Sequence, residues 1–247
     1  MFADQDKTKK EFSFSEPAVP ERKYEFNINL EEMSQAGLQF GHKLSNCHPK
    51  MKPYFQGIRG GINVFNLEKT AEKLEEALKY VKTLLMENKT VLLVGTKVQA
   101  RELTREAGIT CNLPYVENRW LGGTFTNFET MKKRVVKLKE LEAKKASGEL
   151  EKYTKKEQAK FAKKIADLQT KFGGVKNMDR IPDAVFILDI KKDLIAVKEA
   201  RARKVKVIGV CDANVDPALA DYPIPANDDA VSSVRYIVEK IKEAAKK

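Results

Sequence analysis

Thr90-Val91-Leu92-Leu93-Val94-Gly95-Thr96-Lys97 is a continuous apolar run that ends in a glycine and a cation. A strand with one wet face alternates in polarity, whereas an unbroken apolar run bounded by a turn signal is the pattern of a parallel strand covered on both faces. Upstream, Leu67, Ala71, Leu74, Leu78, Val81 and Leu85 recur at helical spacing. Downstream, a helix over about 97–107 closes at Gly108, ahead of a short strand around Tyr115 and Val116. The alternation resumes with a strand over 184–188, a helix over 194–203, and strands over 205–210 and 222–224. A last helix opens at Asn227-Asp228-Asp229, whose carboxylates favour a helix start, and buries Val231, Val234, Ile237, Val238 and Ile241. Repeated βα units predict an α/β fold, a Rossmann-like doubly wound parallel sheet with helices on both faces.

The pattern breaks between Glu129 and Lys171. Met131, Val135, Leu138 and Leu141 form one apolar stripe and Phe161, Ile165, Leu168 and Phe172 another, both at coiled-coil spacing. Ser147-Gly148 interrupts them, and Thr154 with Glu157 reads as a capping box that restarts the second helix. The expectation is an inserted antiparallel coiled-coil helical hairpin over 128–172, interrupting an α/β domain made of 29–127 and 173–247. This segment holds 14 Lys and Arg against seven Asp and Glu, a surplus of +7 that leaves +4 of the chain's +11 for everything else. Either these helices carry a solvated face, or they present cations to a polyanion.

Ahead of the domain, residues 1–22 contain Pro17 and Pro20 and no helical period, so a flexible extension is expected over 1–28. Tyr24, Phe26, Ile28 and Leu30 alternate like a strand, the other reading being a lead-in with two or three residues packed on the body. Asn29 with Glu32 fits a capping box for a short helix ending near Gly37. A Gly-, Pro- and Lys-rich loop region follows through Gly61, and a strand occupies 62–65.

The 247 residues, 42% of them hydrophobic, are enough for a sizeable core, and a pI near 9.4 points to a partner rich in phosphates. Anionic membrane is the rival, set lower because no apolar run approaches the roughly 18 residues that span a bilayer. Three widely spaced cysteines, Cys47, Cys111 and Cys211, suit a reducing, cytosolic compartment.

Catalytic signatures are weak. The turn after Val94 lacks the G-x-x-x-x-G-K-[ST] spacing, and no G-x-G-x-x-G occurs, so Lys97 is read as a phosphate-meeting lysine of a tight turn. His42, Cys47 and His48 have metal-ligand character but no fourth ligand nearby, so no metal and no cofactor is assigned. Asp183, Asp189, Asp212 and Asp216 sit near strand ends, and with Asp228 and Asp229 they are read as capping and helix-dipole residues. In Asn118-Arg119-Trp120-Leu121-Gly122-Gly123-Thr124, Arg119 and Trp120 can bracket a phosphate and stack a base, or Trp120 can plug the place where the helices leave the body. Lys50, Lys52 and Arg59, with His42 and Tyr54, form a second basic and aromatic surface. The candidate RNA-binding residues are therefore Lys50, Lys52, Arg59, Lys97, Arg119, Trp120, Lys132, Lys133, Arg134, Lys137, Lys155, Lys156, Lys163 and Lys164.

Phe40-Gly41-His42, Pro49-Lys50-Met51-Lys52-Pro53, Asn66-Leu67-Glu68-Lys69-Thr70, Val94-Gly95-Thr96-Lys97, Asn118-Arg119-Trp120-Leu121-Gly122-Gly123, Gly173-Gly174-Val175-Lys176, Pro182-Asp183-Ala184 and Asn227-Asp228-Asp229-Ala230 occur in that order. Together they closely resemble the bacterial-type ribosomal protein S2 family, the second protein of the small ribosomal subunit, from about Asn29 onward. The resemblance implies a non-enzymatic structural constituent of the cytoplasmic ribosome that docks on small-subunit ribosomal RNA. It further implies neighbouring small-subunit proteins as partners, including ribosomal protein S1, and neither a membrane nor a second copy of this chain. Ala213, Val215 and Ala226 stand where the family often has Thr, Ser and Gly.

Overall fold

The computed structural model describes residues 24–246. Five strands form an all-parallel sheet: β4 (Val91–Val94), β5 (Tyr115–Val116), β6 (Ala184–Ile187), β7 (Lys206–Cys211) and β8 (Tyr222–Pro225), numbered after three earlier strands. Their spatial order is β5-β4-β6-β7-β8, with Leu93 beside Tyr115, Val94 beside Ile187 and Ile187 beside Gly209. The chain leaves β4 toward β5 on one side and crosses back to β6 on the other, so the carboxyl ends of β4 and β6 flank a topological switch point.

The apolar runs are buried on both faces, as their lack of alternation requires. Leu92, Val94, Val185, Ile187 and Val207 join a core with Ala196, Val197 and Ala200 of α6 (Leu194–Ala202). Their neighbours Val91, Leu93, Phe186, Ile208 and Val210 point the other way. That second core is closed by α2 (Leu67–Met86), α3 (Val98–Thr110) and α7 (Val231–Ala245).

Between β5 and β6 lie α4 (Phe128–Ala146) and α5 (Lys155–Phe172), which make their principal contacts with each other. Met131, Val135, Leu138 and Leu141 of α4 are buried with Ile165, Leu168 and Phe172 of α5, and this stripe runs without a break into the first core. Gly148 takes the left-handed conformation after α4, with φ 71°. The Thr154–Glu157 capping box forms, the Thr154 N–H donating to the Glu157 carboxylate at 3.1 Å.

The amino-terminal expectations need correction. Residues 25–27 form a 3-10 turn instead of a strand, with Phe26 and Asn27 at positive φ, and they pack on α2 and α7. Lys240 Nζ donates to the Asn27 carbonyl at 2.8 Å, and the Lys82 ammonium sits over the Phe26 ring, so the packed lead-in is what forms. Of the extension expected over 1–28, residues 1–23 lie outside the described residues. In α1 (Leu30–Ala36), Asn29 caps the Glu31 N–H, but the Asn29 N–H goes to the Tyr236 hydroxyl, so Glu32 has no part in a capping box. The region read as loop through Gly61 contains two strands, β1 (Phe40–Lys43) and β2 (Phe55–Arg59), flanking β3 (Ile62–Phe65) in an antiparallel sheet. Its glycines and prolines read as loop, although Gly60 and Gly61, both at positive φ, turn β2 directly into β3.

Candidate functional site

The switch point holds a buried ionic cluster. Gly95 brings α3 so close to β4 that a β-carbon there would collide with the Thr104 hydroxyl, and the turn delivers Lys97 inward. Its ammonium lies 2.7 Å from Asp228, 2.6 Å from Asp229 and 3.4 Å from Asp189. Burial opposes that charge, but the hydrogen bonds to Asp228 and Asp229 and the field of Asp189 outweigh it and raise the Lys97 pKa. Burial, then the charges of Asp189 and Asp212, push Asp228 up to about 7 against the pull of Lys97. Burial also pushes Asp193 up to about 6, opposed by the Thr96 hydroxyl, which donates to it at 3.0 Å. Lys97 holds Asp229 below the usual carboxylate range, against burial.

His42, on β1, ties the small sheet to this cluster. Its Nδ1 is 3.2 Å from Asp212 and its Nε2 3.8 Å from Asp229. The Asp212 bond raises the His42 pKa against the cost of burial, with the charges of Asp212, Asp229 and Asp228 adding to it. One ligand atom from each of His42, Asp212 and Asp229 falls within 4.8 Å of the others, so this trio, among the described residues, could hold a cation. Cys47 and His48, grouped with His42 in the sequence, are not part of it: the Cys47 thiol faces the His48 carbonyl, and the His48 ring accepts from the Lys50 N–H. A depression of about 250 Å³ opens here, lined by His42, Lys97, Asp189, Lys191, Lys192, Asn214 and Asp228.

Two readings change accordingly. Asp228 is not a helix-dipole residue: α7 begins at Val231, and the turn before it is held by Asn227, whose Oδ1 accepts from the Asp229 and Ala230 N–H groups. Capping does hold elsewhere. Asp216 accepts from the Ala218 N–H at 2.9 Å as a helix cap, whereas Asp189 closes the turn before α6 through the Lys192 N–H and Asp183 ties across to the Thr90 N–H ahead of β4. Lys97, one of the RNA-binding candidates, instead commits its ammonium to the buried carboxylates of Asp189 and Asp228 and to the exposed one of Asp229.

A second constellation holds the loop entering α4. The Glu199 carboxylate, buried on α6, accepts from the N–H groups of Gly123 at 2.7 Å, Phe125 at 2.9 Å and Thr126 at 3.2 Å, and from the Trp120 indole at 3.3 Å. Burial opposes its charge, but these donors prevail and hold the carboxyl below its usual range. One turn on, the Arg203 guanidinium donates to the carbonyls of Phe125 and Thr126. Trp120 is 5% exposed and packs edge-on against Phe125. Its ring face is enclosed, so of its two readings the geometry matches the plug. Glu199 escaped the sequence reading; the one available signal was a carboxylate among the buried positions Ala196, Val197 and Ala200 of a short helix.

The remaining candidates face solvent. Lys132, Lys133, Arg134 and Lys137 are exposed on α4 between the positions of its buried stripe, Lys137 pairing with Glu140 at 3.2 Å. Lys155, Lys156, Lys163 and Lys164 are likewise exposed on α5, and Arg119 is exposed beside the enclosed Trp120. Lys52 and Arg59 are exposed around β2, while Lys50, 59% exposed, meets Asp216 at 2.7 Å.

Residues 33–247 match the family described as Ribosomal protein S2. A curated relative, the small ribosomal subunit protein uS2 of Coprothermobacter proteolyticus, is 43% identical over 217 residues, spanning 88% of this chain and 81% of the relative. With a parallel α/β body whose switch point is closed by ion pairs and whose surplus cations face outward, this chain belongs to the ribosomal protein S2 family, whose members are structural proteins and not enzymes.

Proposed function

We propose that this chain is a structural constituent of the small ribosomal subunit in the cytoplasm, docking on small-subunit ribosomal RNA through the exposed cations of a coiled-coil hairpin, α4–α5, and of the surface around residues 49–59. It supports translation there and contributes to the docking of ribosomal protein S1. The observation that carries this reading is the segregation of charge. Two-thirds of the charged side chains between Glu129 and Lys171 are cationic, 14 of 21, and every one of those cations is exposed while the apolar stripe that joins the two helices is buried. Such a surface neutralises phosphates and releases their counterions, which fixes the orientation of the protein on RNA with little reading of bases. The S1 contribution rests on kinship with the S2 family alone.

The test replaces Lys132, Lys133, Arg134 and Lys137 with Glu and measures binding to small-subunit ribosomal RNA across a salt series. Every phosphate that the variant no longer neutralises should lower the slope of log K against log salt by about 0.9. The expected outcome is weaker binding with a slope reduced by about 2 to 4. Equal affinity and equal slope would reduce these helices to a solvated face. In cell extract, the chain should co-sediment with small subunits, and subunits reconstituted without it should retain less S1.

A further inference from the structure

The α4–α5 pair touches the rest of the molecule chiefly at its root, so few contacts set its direction. The apolar stripe continues into the body through Trp120, Phe125 and Phe128, but apolar packing is non-directional and tolerates small rotations. Directional bonds are concentrated in the loop between Leu121 and Thr126 and at the far side of the root. On that far side, Asn118 donates to the Thr170 carbonyl at 3.2 Å, and farther along α4, near its carboxyl end, Glu142 pairs with Lys176.

Glu199 on α6 and Arg203, the C-cap of that helix four residues on, hold the entering loop from both sides of its backbone. Glu199 takes the N–H groups of Gly123, Phe125 and Thr126, and also the Thr126 hydroxyl at 3.2 Å. Arg203 gives its Nε and Nη2 to the carbonyls of Phe125 and Thr126. Asn127, the next residue, opens α4 without any side-chain cap, so the orientation of its first turn is inherited from this clasp. Gly123, at φ 93°, provides the bend that turns its N–H toward Glu199.

We infer that Glu199 and Arg203 are positioning residues that set the direction in which the α4–α5 cations are presented, acting through the loop backbone without touching the RNA themselves. This rests on the RNA-docking reading above. A pair of helices presented in one orientation binds without first having to find it. If release of the clasp lets the pair sample on the order of ten orientations with one competent, the apparent dissociation constant rises about tenfold. The number of phosphates met in the complex is unchanged, so the salt slope stays where it was.

The test uses the full chain carrying E199Q or R203A. Glutamine has the volume of glutamate but presents an NH2 where the Phe125 and Thr126 donors or the Gly123 and Trp120 donors require an acceptor. R203A alters an exposed side chain and serves if E199Q fails to fold. Spin labels at Ser147 and at Lys89, in a background with the native cysteines changed to serine, report the distance from the far end of α4 to the body. Both variants should broaden that distribution and weaken RNA binding about tenfold at unchanged salt slope. A distribution as narrow as that of the parent overturns the clasp. Broadening with undiminished RNA binding overturns the link to docking, and a slope lowered by about 0.9 in R203A would make Arg203 a phosphate contact instead. The distance measurement contains no RNA, so it judges the clasp even if the charge-reversal experiment removes the RNA reading.

Discussion

Around the carboxyl end of β4, burial and the Lys97 ammonium push neighbouring carboxyls in opposite senses. Asp193, buried under Thr96, has its pKa pushed up to about 6, against about 4 in an unfolded chain. Since the folded value is the higher one, its contribution to stability is complete below about pH 4 and is lost as pH rises through about 6. The difference is worth about 3 kcal/mol. D193N, which keeps an acceptor for the Thr96 hydroxyl but never ionises, should therefore gain on the parent by about that amount between pH 4 and pH 7.5, measured by urea unfolding at each pH. A constant offset between the two proteins would show that ionising Asp193 costs nothing. Asp229 runs the other way: held low by Lys97, it loses its contribution as pH falls through its depressed value. None of this was legible in the sequence, because Lys97 and Asp228 are 131 residues apart and only the return of the chain to the switch point makes them neighbours.

Among the elements, α4 and α5 were the most legible, since their stripes and caps are local. The Thr154–Glu157 box and the buried positions of α4 occur where the spacing predicts them. T154A should cost about 1 kcal/mol, confined to the start of α5. Hydrogen exchange should then speed up at the amides of the first turn of α5 while those of β4 and β6 keep their protection, and unaltered exchange would make the cap ornamental. The small antiparallel sheet was the least legible element. Its strands are four and five residues long and pair through a register shifted by bulges, and their stretch carries the turn residues that argue for loop. At residues 24–28 the strand alternative failed and the packed lead-in formed: an alternating pattern is only a strand if an edge is available, and here α2 and α7 offered a packing surface instead.

For the molecule as a whole, charge and core are divided between two parts that share an apolar seam. Replacing residues 129–171 with a short Gly-Ser linker removes a net +7 and leaves +4. The sheet retains α2, α3 and α7 on one face and α6 on the other, so the body should still melt cooperatively, at a lower temperature because Trp120, Phe125 and Phe172 lose cover. Its RNA affinity should fall more than that of the charge-reversed protein at moderate salt; an uncooperative melt would show that the two parts fold as one. The sequence by itself determined the βα alternation, the doubly covered strands, the helical stripes and the surplus of positive charge, because each depends on neighbours within a few turns of chain. Only the tertiary structure decided which cations stay free: Lys97 was drawn into the switch point and Trp120 was sealed against Glu199. The physical reason is that burial makes a charge or an indole N–H seek a partner, and those partners came from elements far away along the chain.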